Sequence, residues 1–420
     1  MLLPPLRTAL RCCLALLAAG ALGLARVAGA TPPGDEAEKR QLEEELQREL
    51  AEDPAAQPSK VADPPTAVAT GSNLREVLKG LIPDISFILD VAGAYFSSEP
   101  MQTGAHDPAK TGFTFQQLEL HVESSVDPYF RMETNIVFAE FGVEVEEAYA
   151  STSAIPGGLE VRVGQFLIPF GRLNGTHPHA WKFADQPLVN GKFFGGEASR
   201  GLGAEISWLA PLPWYFELGA AMTEPAGECC ARSFYGGSGL EVEGFEDFVY
   251  TNTLKQFFDL SEDWGLSWGL SAQLGPNPTG QGNRSEIYGT DLYLRYRPAG
   301  STDRVAVSLQ TEGMFRARQV PGDVLYDWGL YAQLIANLTP AWELGARYDF
   351  VSGVDGDYLD PLEDAPRHRA SLQVTLYPSH FSRVRLQGNY DAPQWNGASD
   401  IWAAILNVEF LIGAHGGHDY

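Results

Sequence analysis

Two sets of charged side chains recur at alternate positions along this 420-residue chain. The basic set consists of Arg131, Arg295, Arg297, Arg304, Arg347, Arg369, Arg383 and Arg385. The acidic set comes from earlier segments and consists of Glu119, Glu123, Glu133, Glu144 and Glu146. Across a water-filled passage, two such walls would create a transverse field that orients polar solutes, and the guanidinium groups would attract carboxylates and phosphates. The alternative is that these side chains pair with one another and only fill the interior.

Histidines are the remaining candidates for chemistry. His177 and His179 lie in a long loop, and His415 and His418 lie in the C-terminal tail. Two histidines one residue apart in a loop are a weak metal signal, so an ordinary loop is favoured and no metal or other cofactor is predicted. The segment 236–239 lacks the spacing of a nucleophile elbow, and no P-loop or dinucleotide fingerprint occurs. We therefore predict that the protein is not an enzyme.

The charged side chains need an extended scaffold, which the chain from about Asp84 onward predicts. Apolar and polar residues alternate there with period two, as in strands with one apolar face. About 16 such segments start near Ile85, Phe113, Phe130, Val143, Leu159, Leu202, Trp214, Phe248, Trp264, Tyr288, Val305, Trp328, Trp342, Ala370, Arg383 and Trp402. Each has about the ten residues that a tilted strand needs to cross a bilayer. The pattern predicts an all-β fold, an antiparallel transmembrane β-barrel of about 16 strands.

The connections between these segments alternate in length. Every second one is tight, at residues 125–127, 210–213, 260–263, 298–300, 339–340 and 378–380. Those between them are mostly longer, for example 98–110, 171–197, 224–246 and 352–367. Outer-membrane barrels place short turns in the periplasm and longer loops outside, and an even strand number returns both chain ends to the periplasm. Whether the loop 171–197 enters the barrel stays open.

Aromatic residues gather near both predicted ends of the strands. One group, near the short turns, is Tyr129, Phe130, Trp208, Trp214, Tyr215, Trp264, Trp342, Tyr377 and Phe381. The other, near the long loops, is Tyr95, Phe96, Tyr326, Trp328, Phe350, Tyr390 and Trp402. Two aromatic girdles at the membrane interfaces are therefore predicted.

The N-terminal region differs in composition from the predicted barrel, which spans residues 84–420. Residues 1–30 combine basic residues, an apolar run and the cleavage pattern Ala28-Gly29-Ala30, which predicts a signal peptide. Residues 31–53 form a charged segment with leucines four residues apart. This segment is either a short coiled coil, which trimerises the chain or reaches a periplasmic partner, or a solvated, partly formed helix. Residues 54–83 form a Pro/Ala-rich linker and the barrel entry.

The formal net charge of the chain is −25 at pH 7. This charge excludes a general nucleic-acid binder. Part of it lies in predicted outer loops, at 241–247 and 355–364, where carboxylates would repel anions at the entrance. The sign of the ion selectivity therefore stays open.

Three segments resemble the phosphate-selective porin O/P-like family. They are Val163-Gly164-Gln165-Phe166-Leu167-Ile168-Pro169-Phe170-Gly171, Val126-Asp127-Pro128-Tyr129-Phe130-Arg131 and Glu147-Ala148-Tyr149. The resemblance covers roughly the barrel region and implies a 16-stranded, trimeric porin with a basic lumen. The acidic outer loops offer no match for that family's lysine-rich outer cluster.

The leading hypothesis is an outer-membrane porin of a Gram-negative bacterium, through which small hydrophilic solutes diffuse passively, with a preference for anions if the arginines dominate. Its partners would be outer-membrane lipid, small polar solutes and, in a homotrimer, two further copies. The alternative is a plugged barrel that binds a ligand or a metal through its loops, or that links the membrane to the periplasm. A TonB-dependent transporter would need a larger barrel and a globular plug, for which the N-terminal region is too short.

Overall fold

The computed structural model describes residues 83–413, except for positions 141, 154, 226–229, 235–241, 281, 299–304, 355–363 and 396. The predicted signal peptide and helical segment, and all of the linker except Pro83, lie outside the described residues. The same holds for Arg304 and for the tail histidines His415 and His418.

Sixteen β-strands follow one another along the described part of the chain. They are β1 Asp84–Phe96, β2 Gly112–Ser125, β3 Phe130–Ala139, β4 Gly142–Thr152, β5 Leu159–Leu167, β6 Arg200–Leu209, β7 Tyr215–Thr223, β8 Val249–Asp259, β9 Trp264–Pro276, β10 Arg284–Tyr296, β11 Ala306–Val320, β12 Asp323–Thr339, β13 Trp342–Val351, β14 Arg367–Ser379, β15 Ser382–Pro393 and β16 Ile401–Gly413. The predicted strand number is confirmed, because period-two patterning specifies where a half-apolar strand runs.

The strands close into a barrel in sequence order. Each strand pairs antiparallel with its chain neighbours, and β1 pairs with β16 from Ser86↔Gly413 to Phe96↔Ala403. Closure leaves no strand edge unpaired, so every strand finds its backbone hydrogen bonds within the barrel. The predicted antiparallel barrel is therefore confirmed.

The two ends of the barrel differ in the length of their connections. At one end, which we call the turn end, lie the start of β1, the end of β16 and the seven connections that follow the even-numbered strands β2 to β14. At the other end, which we call the loop end, lie long connections such as 97–111, 168–199 and 224–248. The connections after β3 and β11 are short although they lie at the loop end.

The two faces of each strand differ in polarity. On β13 the side chains of Trp342, Leu344 and Tyr348 are exposed, whereas those of Glu343 and Arg347 are buried. A soluble barrel shows the opposite arrangement, since its apolar residues face inward. Within the described ranges, no helix combines the length and the apolar character needed to cross a membrane.

Most aromatic residues assigned to the girdles are exposed on the outer face near the strand ends. Examples are Tyr129 and Trp214 near the turn end, and Tyr95 and Trp402 near the loop end. Tyr377 and Phe96 are buried instead, 6% and 8% exposed, so their assignment to the girdles is wrong. Both lie at inward positions of their strands, since strand parity, and not closeness to the end, decides which way a side chain points.

Candidate pore and charged lumen

The connection between β5 and β6, residues 168–199, lies inside the barrel, and we call it the constriction loop. Most of its residues are buried, whereas Arg172, Gly175 and Ala180 are exposed. It contains a 3₁₀ turn, Pro178–Ala180, and one short helix, α1, Leu188–Phe194, which packs against β12 and β13. The question left open by the sequence is therefore decided: this loop narrows the lumen.

A glycine turns the chain inward at the start of the constriction loop. Gly171 has a φ of +61°, and a Cβ there would lie 2.3 Å from Oε2 of Glu312. The left-handed conformation favours glycine, and any side chain here would also have to displace the carboxylate of Glu312. The Gly171 amide donates to Oγ of Ser271 (2.9 Å), and the Leu173 amide donates to Oε1 of Glu312 (2.7 Å).

Apolar packing then holds one side of the loop against the wall. Phe170 and Phe194 meet edge to face with 5.1 Å between ring centroids, and both are fully buried. They belong to one apolar cluster with Phe193, Phe234 and Tyr331. This cluster fills part of the lumen, so a solute would have to pass beside it.

Asp185 anchors the opposite part of the constriction loop to strands β13–β15. Its carboxylate accepts from Nη2 of Arg347 (2.7 Å), Nη1 of Arg369 (2.9 Å) and the side-chain amides of Gln387 and Asn389 (both 2.8 Å). Burial alone would raise the pKa of Asp185, but the charges of Arg347 and Arg369 outweigh it and hold that pKa below its usual value. The loop is thus fixed by a fully buried, charge-assisted network.

Other aspartates share these arginines. Asp349 accepts from Nε of Arg347 (2.8 Å), and Asp391 accepts from Nη2 of Arg367 (2.6 Å) and of Arg369 (2.8 Å). We call the set of Arg347, Arg367, Arg369, Asp185, Asp349 and Asp391 the arginine–aspartate network. Arg347 and Arg369 are therefore ion-paired, but with aspartates and not with the glutamates that the sequence analysis considered as their partners.

Arg383 and Arg385 hold a backbone carbonyl of the loop. Both donate to the carbonyl oxygen of Trp181, at 3.2 and 2.8 Å, and Arg383 also pairs with Glu409. Both guanidinium groups are almost fully buried. Arg385 makes no ion pair with any residue that the structure describes.

A cavity of about 640 Å³ opens on the turn-end side of the constriction loop, and we call it the basic vestibule. Its cationic lining residues are Arg172, Lys182, Arg295, Arg297 and Arg383. Neutral polar residues such as Gln310 and Asn337 complete the wall, and none of the described lining residues is a carboxylate. Arg295 and Arg297 are exposed to this space. Lys182 pairs with Glu343, and Arg383 pairs with Glu409, so the positive charge of the vestibule rests mainly on Arg172, Arg295 and Arg297.

The wall formed by β2–β4 has the opposite charge and contains two β-bulges. The register between β3 and β4 changes between Asn135 and Ile136, so Glu146 is an extra residue of β4 without a partner position on β3. As a result, Glu146 and Glu147 are both buried. A similar shift on β2 leaves neighbouring Gln116 and Gln117 both buried. A bulge inserts one residue, which breaks the strict alternation and aims two successive side chains to one face. Strict alternation therefore could not identify Glu147.

Histidines from two loops meet these carboxylates. Nδ1 of His177 lies 3.0 Å from Oε2 of Glu146, and its Nε2 lies 2.8 Å from Oε2 of Glu147. Nδ1 of His179 lies 3.0 Å from Oε2 of Glu119, and the rings of His177 and His179 stack with centroids 5.8 Å apart. We call these five residues, together with His106 and Glu197, the histidine–glutamate cluster.

His106, from the loop after β1, joins the cluster on its other side. Its Nε2 lies 3.2 Å from Oε2 of Glu197 and 3.6 Å from Oε1 of Glu146. Burial alone would lower the pKa of both His106 and His177, but the surrounding carboxylates raise each pKa well above its usual value. The cluster therefore favours positive charge at its centre.

The remaining predicted acidic residues lie outside this cluster. Glu123 pairs with Arg131 near the turn end, and Glu133 lies directly opposite Glu123 on β3. Glu144 pairs with Arg200. The structure thus brings together Glu119 and Glu146, and keeps Glu123, Glu133 and Glu144 apart from them.

Sequence reasoning missed several residues that position the loop. They are His106, Glu147, Asp185, Glu197, Glu312 and Asp391. His106, Asp185 and Glu197 lie in loops, where no periodicity shows which way a side chain points. Asp391 could have been predicted from the sequence, because it lies on β15 at the same alternate positions as Arg383 and Arg385, which face inward.

One nucleophile-like spacing was also overlooked. Gly265-Leu266-Ser267-Trp268-Gly269 has the spacing G-x-S-x-G, but it lies within strand β9. A nucleophile elbow needs a sharp turn from a strand into a helix, which this segment lacks.

Comparisons with known proteins agree with this architecture. A protein of Aquifex aeolicus (strain VF5), described as uncharacterized, is 30% identical over 388 residues, which cover 81% of each chain. The outer membrane channel DcaP of Acinetobacter baumannii superposes with a TM-score of 0.55 at 11% identity, covering 80% of this chain and 98% of its own. OprB of Pseudomonas putida gives 0.52 at 11% identity, covering 81% of this chain and 96% of its own. The anion-selective porin from Comamonas acidovorans gives 0.50 at 12% identity, covering 79% and 99%. This chain therefore has the fold of outer-membrane porins. No protein-family model matches it.

Proposed function

We propose that this chain, which belongs to the same protein family as the uncharacterized protein of Aquifex aeolicus, is a passive channel of the outer membrane of a Gram-negative bacterium. Small hydrophilic solutes, anions in particular, would diffuse through it without catalysis or energy coupling. Its chain ends would lie in the periplasm, as the turn end of a barrel does.

The outer face of the barrel supports the membrane location. Large apolar side chains are exposed there on many strands, for example Leu372 (68%), Val163 (55%) and Leu406 (47%). A surface of this kind around a whole barrel would aggregate in water and is stable against lipid acyl chains.

The basic vestibule is the observation that carries the proposal. Five cationic residues surround a space large enough for a hydrated small solute, and the described part of its lining contains no carboxylate. Anions would be concentrated at this mouth, since low-dielectric walls focus the field of the lining charges. Because guanidinium groups match carboxylate and phosphate oxygens, small organic acids and phosphate are the first solutes to test.

The charges of the two walls are largely compensated, because the arginines of β13–β15 pair with aspartates and the glutamates of β2–β4 pair with histidines. The anion preference is therefore assigned to the basic vestibule and not to a transverse field. The resemblance of Val163–Gly171 to the phosphate-selective porin O/P-like family supports phosphate as one candidate. A trimeric assembly is part of that resemblance and belongs to the same proposal.

A second candidate function follows from the packing of the constriction loop. The loop is buried and tied to both walls, as a plug would be. The chain would then be a ligand-binding barrel of the outer membrane that conducts no ions.

The experiment that separates the two is single-channel recording in a planar bilayer. The refolded chain should give steady, ohmic conductance, and its reversal potential in a KCl gradient should show a preference for chloride. A folded barrel that never conducts would overturn the channel and favour the ligand-binding barrel.

Two variants test the role of the vestibule. Arg295→Gln/Arg297→Gln should lower the chloride-to-potassium permeability ratio by about twofold or more, because two exposed charges of the mouth are lost. Lys110→Gln is the matched control, since Lys110 is exposed at the loop end and pairs with Glu140. An equal change in both variants would show that the vestibule does not set the selectivity.

A further inference from the structure

The histidine–glutamate cluster buries four carboxylates in one place. Glu119, Glu146, Glu147 and Glu197 are between 0% and 8% exposed. Within the described part of the chain, their ion pairs are with histidines alone. Buried carboxylates need a cation or a dense set of donors nearby, because the desolvation of an unpaired charge is strongly unfavourable.

The donor atoms of the cluster converge on two points. One atom each from Glu119, Glu146 and His177 lies within 4.8 Å of the other two, and the same holds for His106, Glu146 and Glu197. Glu146 belongs to both triads, with Oε1 toward His106 and Oε2 toward His177. Atoms at this separation need only small shifts to reach one ion at about 2.0–2.2 Å, the usual distance for histidine and carboxylate ligands.

Among the described residues, two carboxylate oxygens of the triads find no hydrogen-bond partner. They are Oε1 of Glu119 and Oε1 of Glu197, and both are buried. The side chain of Glu119 is fully buried and that of Glu197 is 4% exposed. A buried oxygen without a donor is destabilising, and a coordinated cation would remove this penalty. Each triad thus contains one oxygen placed to act as a ligand.

We propose that the histidine–glutamate cluster binds a divalent transition-metal ion, with Glu146 as the shared ligand, Glu119 and His177 on one side, and His106 and Glu197 on the other. The mixed imidazole and carboxylate donors suit Zn²⁺ or Mn²⁺. They suit Mg²⁺ and Ca²⁺ less, because those ions take oxygen ligands almost alone. The site is independent of whether the barrel conducts.

Such an ion would tie together segments that are far apart in sequence. His177 and Glu197 belong to the constriction loop, His106 to the loop after β1, and Glu119 and Glu146 to strands β2 and β4. Metal binding would therefore fix the constriction loop to the acidic wall.

The test is metal binding by the full chain in detergent micelles, after dialysis against a chelator. Titration with Zn²⁺ in a calorimeter should show one or two ions per chain, as two triads sharing Glu146 allow. Co²⁺ should give an absorption spectrum of nitrogen and oxygen ligands. Hydrogen exchange of the constriction loop should slow when Zn²⁺ is added. Glu146→Gln should weaken Zn²⁺ binding by about 100-fold or more, since it removes the shared ligand.

Three controls make the result decisive. Glu123→Gln changes an inward glutamate of the same strand as Glu119, outside both triads, and should bind Zn²⁺ as the wild type does. His415→Ala/His418→Ala removes the tail histidines and should also leave binding unchanged. If Glu146→Gln does not fold, His106→Gln/His177→Gln, which removes one ligand from each triad, should give the same loss. Absence of Zn²⁺ and Mn²⁺ binding by the folded wild type would overturn the proposal. Full retention of binding in Glu146→Gln, or its loss in the tail variant, would do the same.

Discussion

The two walls of the lumen hold the same loop by different chemistry. On β13–β15, buried guanidinium groups pair directly with carboxylates. The single carboxylate of Asp185 contacts both Arg347 and Arg369. On β2–β4, the carboxylates meet imidazoles, as in the contacts of His177 with Glu146 and Glu147. Arginine keeps its charge at every physiological pH, whereas histidine can exchange its proton for a metal ion. The first wall is therefore a permanent anchor, and the second can respond to its surroundings.

Asp185→Asn should lower the stability of the barrel more than any other variant considered for the two walls. This change leaves two buried guanidinium groups without their shared carboxylate, and losing one partner of a buried ion pair costs about 3 kcal/mol or more. Urea unfolding of the barrel in lipid vesicles should show this loss, and hydrogen exchange should speed up in the constriction loop. Asp259→Asn is the matched control, because Asp259 is exposed at the end of β8. A loss as small as that of the control would mean that the network does not anchor the loop.

The pH dependence of the same variant tests whether Asp185 anchors the loop at every pH near neutrality. Because the pKa of Asp185 is lowered on folding, its contribution is present above the unfolded value of about 3.9 and is lost as the pH falls through the folded value. The stability difference between wild type and Asp185→Asn should stay constant from about pH 8 to pH 5 and shrink below about pH 4. A difference that shrinks near neutral pH would contradict a permanent anchor.

A smaller effect is expected on the acidic wall. His177→Gln removes two imidazole–carboxylate contacts, and each partner left unsatisfied costs about 1–3 kcal/mol in a buried site. Measured with a chelator present, its loss of stability should be smaller than that of Asp185→Asn. His368→Gln serves as the control, because His368 contacts the exposed Tyr348 on the outer face. A loss larger than that of Asp185→Asn would reverse the ranking of the two walls.

The smallest expected effect concerns the basic vestibule, whose charges are partly open to solvent. Arg295 and Arg297 act through the field in the mouth, which salt screens over about 10 Å at 0.1 M and about 3 Å at 1 M. The chloride preference should therefore weaken between these two concentrations, as reversal potentials would show. A preference that does not change with salt would show that the exposed charges of the vestibule do not set the selectivity.

Periodicity in the sequence was sufficient for the strands but not for the loops. The alternation of apolar and polar residues located strands such as β13 and β16, because the side-chain period of a strand is two. The same rule missed Glu147, since a bulge on β4 changes the parity at Glu146. The same rule also assigned Arg347 and Arg369 to the pore lining, but it could not show that Asp185 of the constriction loop pairs with both.

Local sequence patterns were sufficient to predict an antiparallel barrel of 16 strands, the different connection lengths at its two ends and the polarity of its two faces. These features follow from local patterns, since strand periodicity and turn residues act over a few positions. Only the tertiary structure decided that the constriction loop enters the lumen, that Asp185 joins it to Arg347 and Arg369, and that His106 and His177 meet at Glu146. Those contacts join residues 31 to 184 positions apart, where no local pattern records the distance between two side chains.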